Sequence, residues 1–227
     1  WEQDAAAMVT AMTTKTDPAL LSAEELLALY ARRALSPVET LKAVTERVAR
    51  YNPWVNAFAA LNPRALMQAG ESEARWAAGR PLGPLDGVPV TVKDLLNVAG
   101  FPTRRGSKIT DATPAPEDAP AVMGLKAAGA VILGKTTTTE FGWKSPGDCP
   151  LHGITRNPRD TSLSAGGSSG GSAAAVSASP GAASVASRSA AVVIAYLICK
   201  HGMTYDQAFA LVHHKRACIK PNSGFVA

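Results

Sequence analysis

Hydrophobic positions return at helical spacing soon after residue 20. Leu26, Leu27, Leu29 and Tyr30 follow Ser22-Ala-Glu-Glu25, and a serine with a glutamate three residues on is a capping box that opens a helix. Arg32, Arg33 and the Leu35-Ser36-Pro37 break close it. Ser36, Pro37 and Glu39 then repeat the start signal, with proline at the first helical position. Leu41, Val44, Val48 and Tyr51 give the second helix its apolar stripe, and Asn52-Pro53 predicts its end. Residues 55–61 read as a short strand. Asn62-Pro63 turns into a third helix over 65–78, which Gly79 terminates.

The period then changes. A turn cluster at 83–87 precedes Val88-Pro-Val-Thr-Val92, a β-branched run that predicts a buried strand with Lys93-Asp94 at its end. A lysine in that place either reaches solvent or sits in a site. Residues 101–106 form a Pro- and Gly-marked loop, 118–128 a helix ended by Gly129, and 130–133 a second strand. This order is the grammar of a sheet covered by helices, an α/β fold. Gly129-Ala-Val-Ile-Leu-Gly-Lys-Thr136 matches the spelling of a phosphate loop. Its strand lies between the two glycines, however, and four β-branched threonines follow the lysine, so nucleotide binding is not expected.

Composition narrows the classes. The 227 residues are 46% hydrophobic and 18% charged, which suits a chain that buries a core. The net charge of +5 is spread without a dense Lys/Arg run, so no nucleic-acid partner is expected. Cys149, Cys199 and Cys218 match no metal or disulfide spacing, which fits a reducing cytoplasm, and no metal site is expected. The longest apolar run, 191–199, is too short to span a bilayer, so no membrane partner is expected. The chemistry gathers in Ala165-Gly-Gly-Ser-Ser-Gly-Gly-Ser-Ala-Ala-Ala175. Its glycines permit close approach and turned-out amides, and its serines offer hydroxyls for attack or proton relay. The same text also suits a flexible Gly/Ser linker.

Four stretches in register decide between these readings: Gly83-Pro-Leu-Asp-Gly-Val-Pro-Val-Thr-Val-Lys-Asp94, Gly134-Lys-Thr-Thr-Thr-Thr-Glu-Phe-Gly142, Gly153-Ile-Thr-Arg-Asn-Pro158 and Gly166-Gly-Ser-Ser-Gly-Gly-Ser172. Together they resemble the amidase signature family over residues 21–177. The resemblance implies a mixed sheet flanked by helices and amide hydrolysis by a Ser–cis-Ser–Lys triad without metal or cofactor. It places the triad lysine on Lys93, the cis-serine on Ser168 and a supporting hydroxyl on Ser169. Phe141, Gly142 and Trp143 fall where the family lines its pocket for a small-molecule amide, and where ordinary core is the other reading. A lysine works as a base only when neutral, which burial at the end of a strand favours.

The resemblance breaks off after residue 177. The position at which the family carries its nucleophile, in Asp-x-Gly-Gly-Ser-x-Arg, falls on Val192, and no Gly-Gly-Ser follows Ser172. The nucleophile is therefore unassigned; Ser172, Ser187 and Ser189 are surviving serines outside the motif. Residues 187–226 instead resemble the C-terminal helices of dual-specificity protein phosphatases, in Arg188-Ser-Ala190, Ala208-Phe-Ala-Leu-Val212 and Pro221-Asn-Ser-Gly-Phe225. Arg188 matches that family's phosphate-clamping arginine, while Ala182 stands at the cysteine position and Gly181 at the histidine position. Two helices are expected here, a buried one over 189–200 and one capped by Thr204 and Gln207, with His213 and His214 in its last turn. The expected organisation is a leader at 1–20, an amidase-like part at 21–177 and a phosphatase-like tail of two helices at 178–227, joined near 177–183. The expected function is amide hydrolysis, weak or absent for want of the nucleophile motif. The alternatives are a ligand-binding module without chemistry and a phosphatase remnant.

Overall fold

The computed structural model describes residues 17–179 and 182–185. The two capping boxes form as the sequence requires. Ser22 Oγ accepts from the Glu25 N–H while Glu25 returns to the Ser22 N–H, opening α1 (Ala23–Ala31), and Ser36 and Glu39 do the same for α2 (Pro37–Val55). α2 runs past the expected stop at Asn52-Pro53. Pro53 and Ala49 are exposed, so the carbonyl that Pro53 cannot serve reaches water, and buried Val55 holds the last turn to the core. The Asn52 side chain then caps the exit, accepting from the N–H groups of Ala57 and Phe58. The strand expected over 55–61 is thereby shortened to β1 (Phe58–Leu61).

Next come α3 (Ala65–Ala77), β2 (Pro89–Lys93), α4 (Pro120–Ala127) and β3 (Val131–Thr136). β3 outruns its expected end through Gly134 and Lys135. At Gly134 a side chain would run into the Ala60 carbonyl of β1, so only glycine lets the two strands close. Three short pieces follow, β4 (Asp148–Cys149) paired with β5 (Gly153–Ile154), and β6 (Arg156–Asn157), which pairs with β7 (Asp160–Ser164). α5 (Gly170–Ala178) and β8 (Ala183–Val185) complete the described elements.

The main sheet has the order β1-β3-β2-β8, with β1 antiparallel and β2 parallel to β3. Alternation along β3 sorts its two faces. Val131 and Leu133 pack with Leu41, Val44 and Val48 of α2 and Ala65 and Ala69 of α3. Ile132 turns the other way, to Val92, Val98 and Val122 of α4. The result is a mixed sheet flanked by helices, an α/β architecture.

Both ends of this unit differ from the expected boundaries. Asp17–Leu20 lies within the expected leader, yet Pro18–Leu20 forms a 3-10 turn whose Ala19 is fully buried in the α2–α3 core. Past residue 177, Ala182 joins that core and β8 borders β2. The chain divides into compact units at Ser184/Val185. The expected tail helices, with Arg188, Val192, Cys199, His213, His214 and Cys218, lie outside the described residues, as do Ser187 and Ser189.

Candidate active site

Lys93 ends β2 opposite Thr136 of β3 and is 2% exposed. Its Nζ donates to Ser168 Oγ at 2.8 Å and to Ser169 Oγ at 2.9 Å. The three polar residues singled out from the sequence thus meet, across 75 residues of chain. The Gly167–Ser168 peptide bond is cis. Ser169 stands at the N-cap of α5 without capping it by its side chain, since its hydroxyl faces Lys93.

The threonine run after β3 holds the glycine loop in place. Thr136 and Ser172 share a hydrogen bond of 2.8 Å between buried hydroxyls, tying the sheet to the first turn of α5. Thr137 Oγ1 lies 2.6 Å from Thr155 Oγ1, and Thr138 Oγ1 donates to the Ser168 carbonyl at 3.0 Å. At Gly171 a side chain would strike Thr137, so α5 starts hard against the end of β3. The sequence reading used this run as a poor helix start and as part of the family resemblance, and gave its hydroxyls no role. The available signal was four successive hydroxyls directly after a buried strand, where polar side chains need partners.

The expected pocket trio divides. Phe141 and Trp143 line an open cavity of about 560 Å³ with Glu140, Lys144, Asp148, Cys149 and Pro150. Gly142 is instead buried towards the serine loop, where a side chain carbon would lie 3.7 Å from Ser168 Oγ. Phe141 sits in the 3-10 turn Glu140–Gly142 at φ 48°, a left-handed conformation that side chains disfavour. Its N–H donates to the Arg105 carbonyl at 2.8 Å, and Glu140 accepts from Ser107 Oγ at 2.7 Å.

Two further ionisable groups lie inside. Burial pushes the Lys135 ammonium below its ordinary value, against the pull of the Asp94 carboxylate 2.6 Å away. Burial likewise lowers His152, again opposed by Asp94, and its Nε2 is buried without a hydrogen-bond partner. Lys135 stands within β3 rather than after it, and no α-helix starts directly after it, so the phosphate-loop pattern has no phosphate-loop geometry. Ser172, one of the surviving serines, is already engaged by Thr136. Ala182, at the position of the phosphatase thiolate, is a core residue. Among the described residues no group of three or more His, Cys, Asp and Glu side chains could hold a metal, and no helix is long and apolar enough to cross a membrane.

The Amidase family model matches residues 39–188, and the model of the dual specificity phosphatase catalytic domain matches residues 185–227. The chain is 43% identical over 156 residues to a glutamyl-tRNA(Gln) amidotransferase subunit from Salinispora arenicola, covering 68% of this chain and 32% of that one. It is 41% identical over 150 residues to an indoleacetamide hydrolase of Bradyrhizobium diazoefficiens, covering 66% and 29%. Among solved structures, the peptide amidase of Stenotrophomonas maltophilia superposes with a TM-score of 0.64 at 35% identity, over 73% of this chain and 35% of that one. The chain therefore spans about a third of the length of the relatives it matches.

Proposed function

This chain belongs to the amidase family, and from that premise we propose that Lys93, Ser168 and Ser169 are the lysine–serine arm of an amide-hydrolysing site. The observation that carries the reading is Lys93 Nζ, buried and bonded to both hydroxyls at 2.8 and 2.9 Å. In such an arm the neutral amine draws a proton through Ser168 from an attacking hydroxyl and later returns it to the leaving amine. The acyl group passes first to the attacking serine and then to water. The substrate is a small amide entering beside Phe141 and Trp143.

The attacking serine has no recognisable motif in this chain, so turnover is expected to be weak or absent. The full chain, incubated with aryl and alkyl amides and with a fluorophosphonate probe, tests this. Little hydrolysis is expected, with benzamide binding weakened by Lys93→Met and by Ser168→Ala. Robust turnover abolished by either substitution would overturn the expected inactivity. Benzamide binding indifferent to both would overturn the site itself.

The missing Gly-Gly-Ser after Ser172 favours a second reading, an amide-binding module without chemistry. Fluorophosphonate silence together with benzamide binding selects it. The phosphatase-like segment is read as a separate unit joined to the amidase part. Its clamp at Arg188 lacks a thiolate partner because Ala182 replaces it, so vanadate is expected not to bind.

A further inference from the structure

Lys135, the lysine of the phosphate-loop pattern, is 1% exposed, and the site described above does not use it. Its ammonium faces three acceptors: Asp94 Oδ1 at 2.6 Å, the Pro102 carbonyl at 2.9 Å and Thr103 Oγ1 at 2.8 Å. Pro102 and Thr103 accept hydrogen bonds from it, and Asp94 pairs with its charge. Neither Asp94 carboxylate oxygen takes an aligned hydrogen bond among the described residues, so Lys135 is the charge that compensates it. A buried ion pair adds little stability over a well-packed apolar pair of the same size. What it supplies is direction, because each group must find its partner.

The backbone shows what is being directed. The Asp94 N–H donates to the Thr136 carbonyl at 3.0 Å, joining the ends of β2 and β3 directly beside Lys93. The Arg105 N–H donates to the Asp94 carbonyl at 3.1 Å, and the Phe141 N–H donates to the Arg105 carbonyl at 2.8 Å. The 101–106 loop thus bridges the strand ends and the left-handed turn at Phe141. Lys135 is its side-chain anchor, through Pro102 and Thr103. A non-glycine residue stays left-handed only where its surroundings fix it.

We propose that Lys135 is a positioning residue: by gathering Asp94, Pro102 and Thr103 it pins the 101–106 loop to the strand ends and, through Arg105, fixes the Phe141–Gly142 turn, whose Gly142 lies next to Ser168. The importance of that turn rests on the reading of Lys93 and Ser168 as an amide site, but the pinning does not.

The test is amide hydrogen exchange on the full chain, comparing the parent with Lys135→Met and with the double variant Asp94→Asn/Lys135→Met. The single variant strands a buried carboxylate and is expected to lower the melting temperature. The double variant removes both charges and is expected to recover most of that loss, yet it still lacks the donors to Pro102 and Thr103. In the double variant, residues 101–106 and 140–142 are expected to exchange at least about tenfold faster while β2 and β3 stay protected. Parent-like protection at 140–142 in the double variant overturns the proposal. Benzamide affinity, read in Lys93→Met, judges the amide-site reading separately. A failure there leaves the exchange result to stand by itself.

Discussion

The hydroxyl pair Thr136–Ser172 is where the sheet grips the helix that follows the serine loop, and its worth can be measured. Thr136 is fully buried and Ser172 is 6% exposed, and their oxygens lie 2.8 Å apart. Replacing Thr136 by valine or Ser172 by alanine removes one hydroxyl and strands the other. Stranding a buried polar group costs about 1–3 kcal/mol. Each single variant carries a side effect. Alanine gains about 0.5 kcal/mol of helix propensity over serine, and valine adds apolar volume. A double-mutant cycle cancels both, leaving an expected coupling of about 1–2 kcal/mol, with the double variant well above the additive sum. For a chain of this size each kcal/mol moves the melting temperature by about 2–4 °C. Guanidinium melts followed by tryptophan emission read it. Trp54 and Trp143 are 71% and 91% exposed, so among the described tryptophans half-buried Trp76 reports the core. Additivity within about 0.5 kcal/mol would refute the grip.

Three other expectations follow from single contacts. Asp86 is fully buried; burial would raise its carboxyl, but Arg75 and the Leu82 N–H hold it below its ordinary value. Arg75→Met should therefore cost about 2–4 kcal/mol in denaturant melts, less than for a fully dry pair because Arg75 is 30% exposed; an unchanged midpoint would contradict this. His152 takes its proton in the folded state below the value near 6.5 of the unfolded chain, so stability should be full above that pH and fall as pH drops through it. In His152→Leu the slope of melting temperature against pH should flatten in that window, and an unaltered slope would assign it elsewhere. Gly134→Ala should part β1 from β3, seen as fast amide exchange in 58–61 with β2 still protected.

Much of this was legible in the sequence because local chemistry and tertiary packing agree there. The serine–glutamate pairs before α1 and α2 cap helices wherever they occur, and the β-branched run before Lys93 packs on both sides. The meeting of Lys93 with Ser168 and Ser169 followed from four stretches read together, not from any one of them. Pro53 misled because at an exposed position the freed carbonyl can reach water and the helix here continues past it. β7 was invisible because Asp160–Ser164 is exposed at every position and so shows no alternation. Lys135 and the threonines were missed because their partners come from distant parts of the chain, and a spelling that matched another motif drew attention to the wrong property of the lysine.

The distance in sequence between Lys93 and Ser168 also bears on the order in which the protein acquires its shape. Closing a 75-residue loop costs about 4 kcal/mol in its length-dependent part. Once β2 and β3 have paired, Lys93 is fixed beside Thr136, and the remaining gap is the 30 residues from Thr138 to Ser168. The length-dependent cost then falls to about 3 kcal/mol. The threonine run therefore acts as a landing point that shortens the search of the serine loop. A chain cut between β3 and that loop would keep its paired strands, but the lysine would have to find its serines at the full entropic cost of a second molecule.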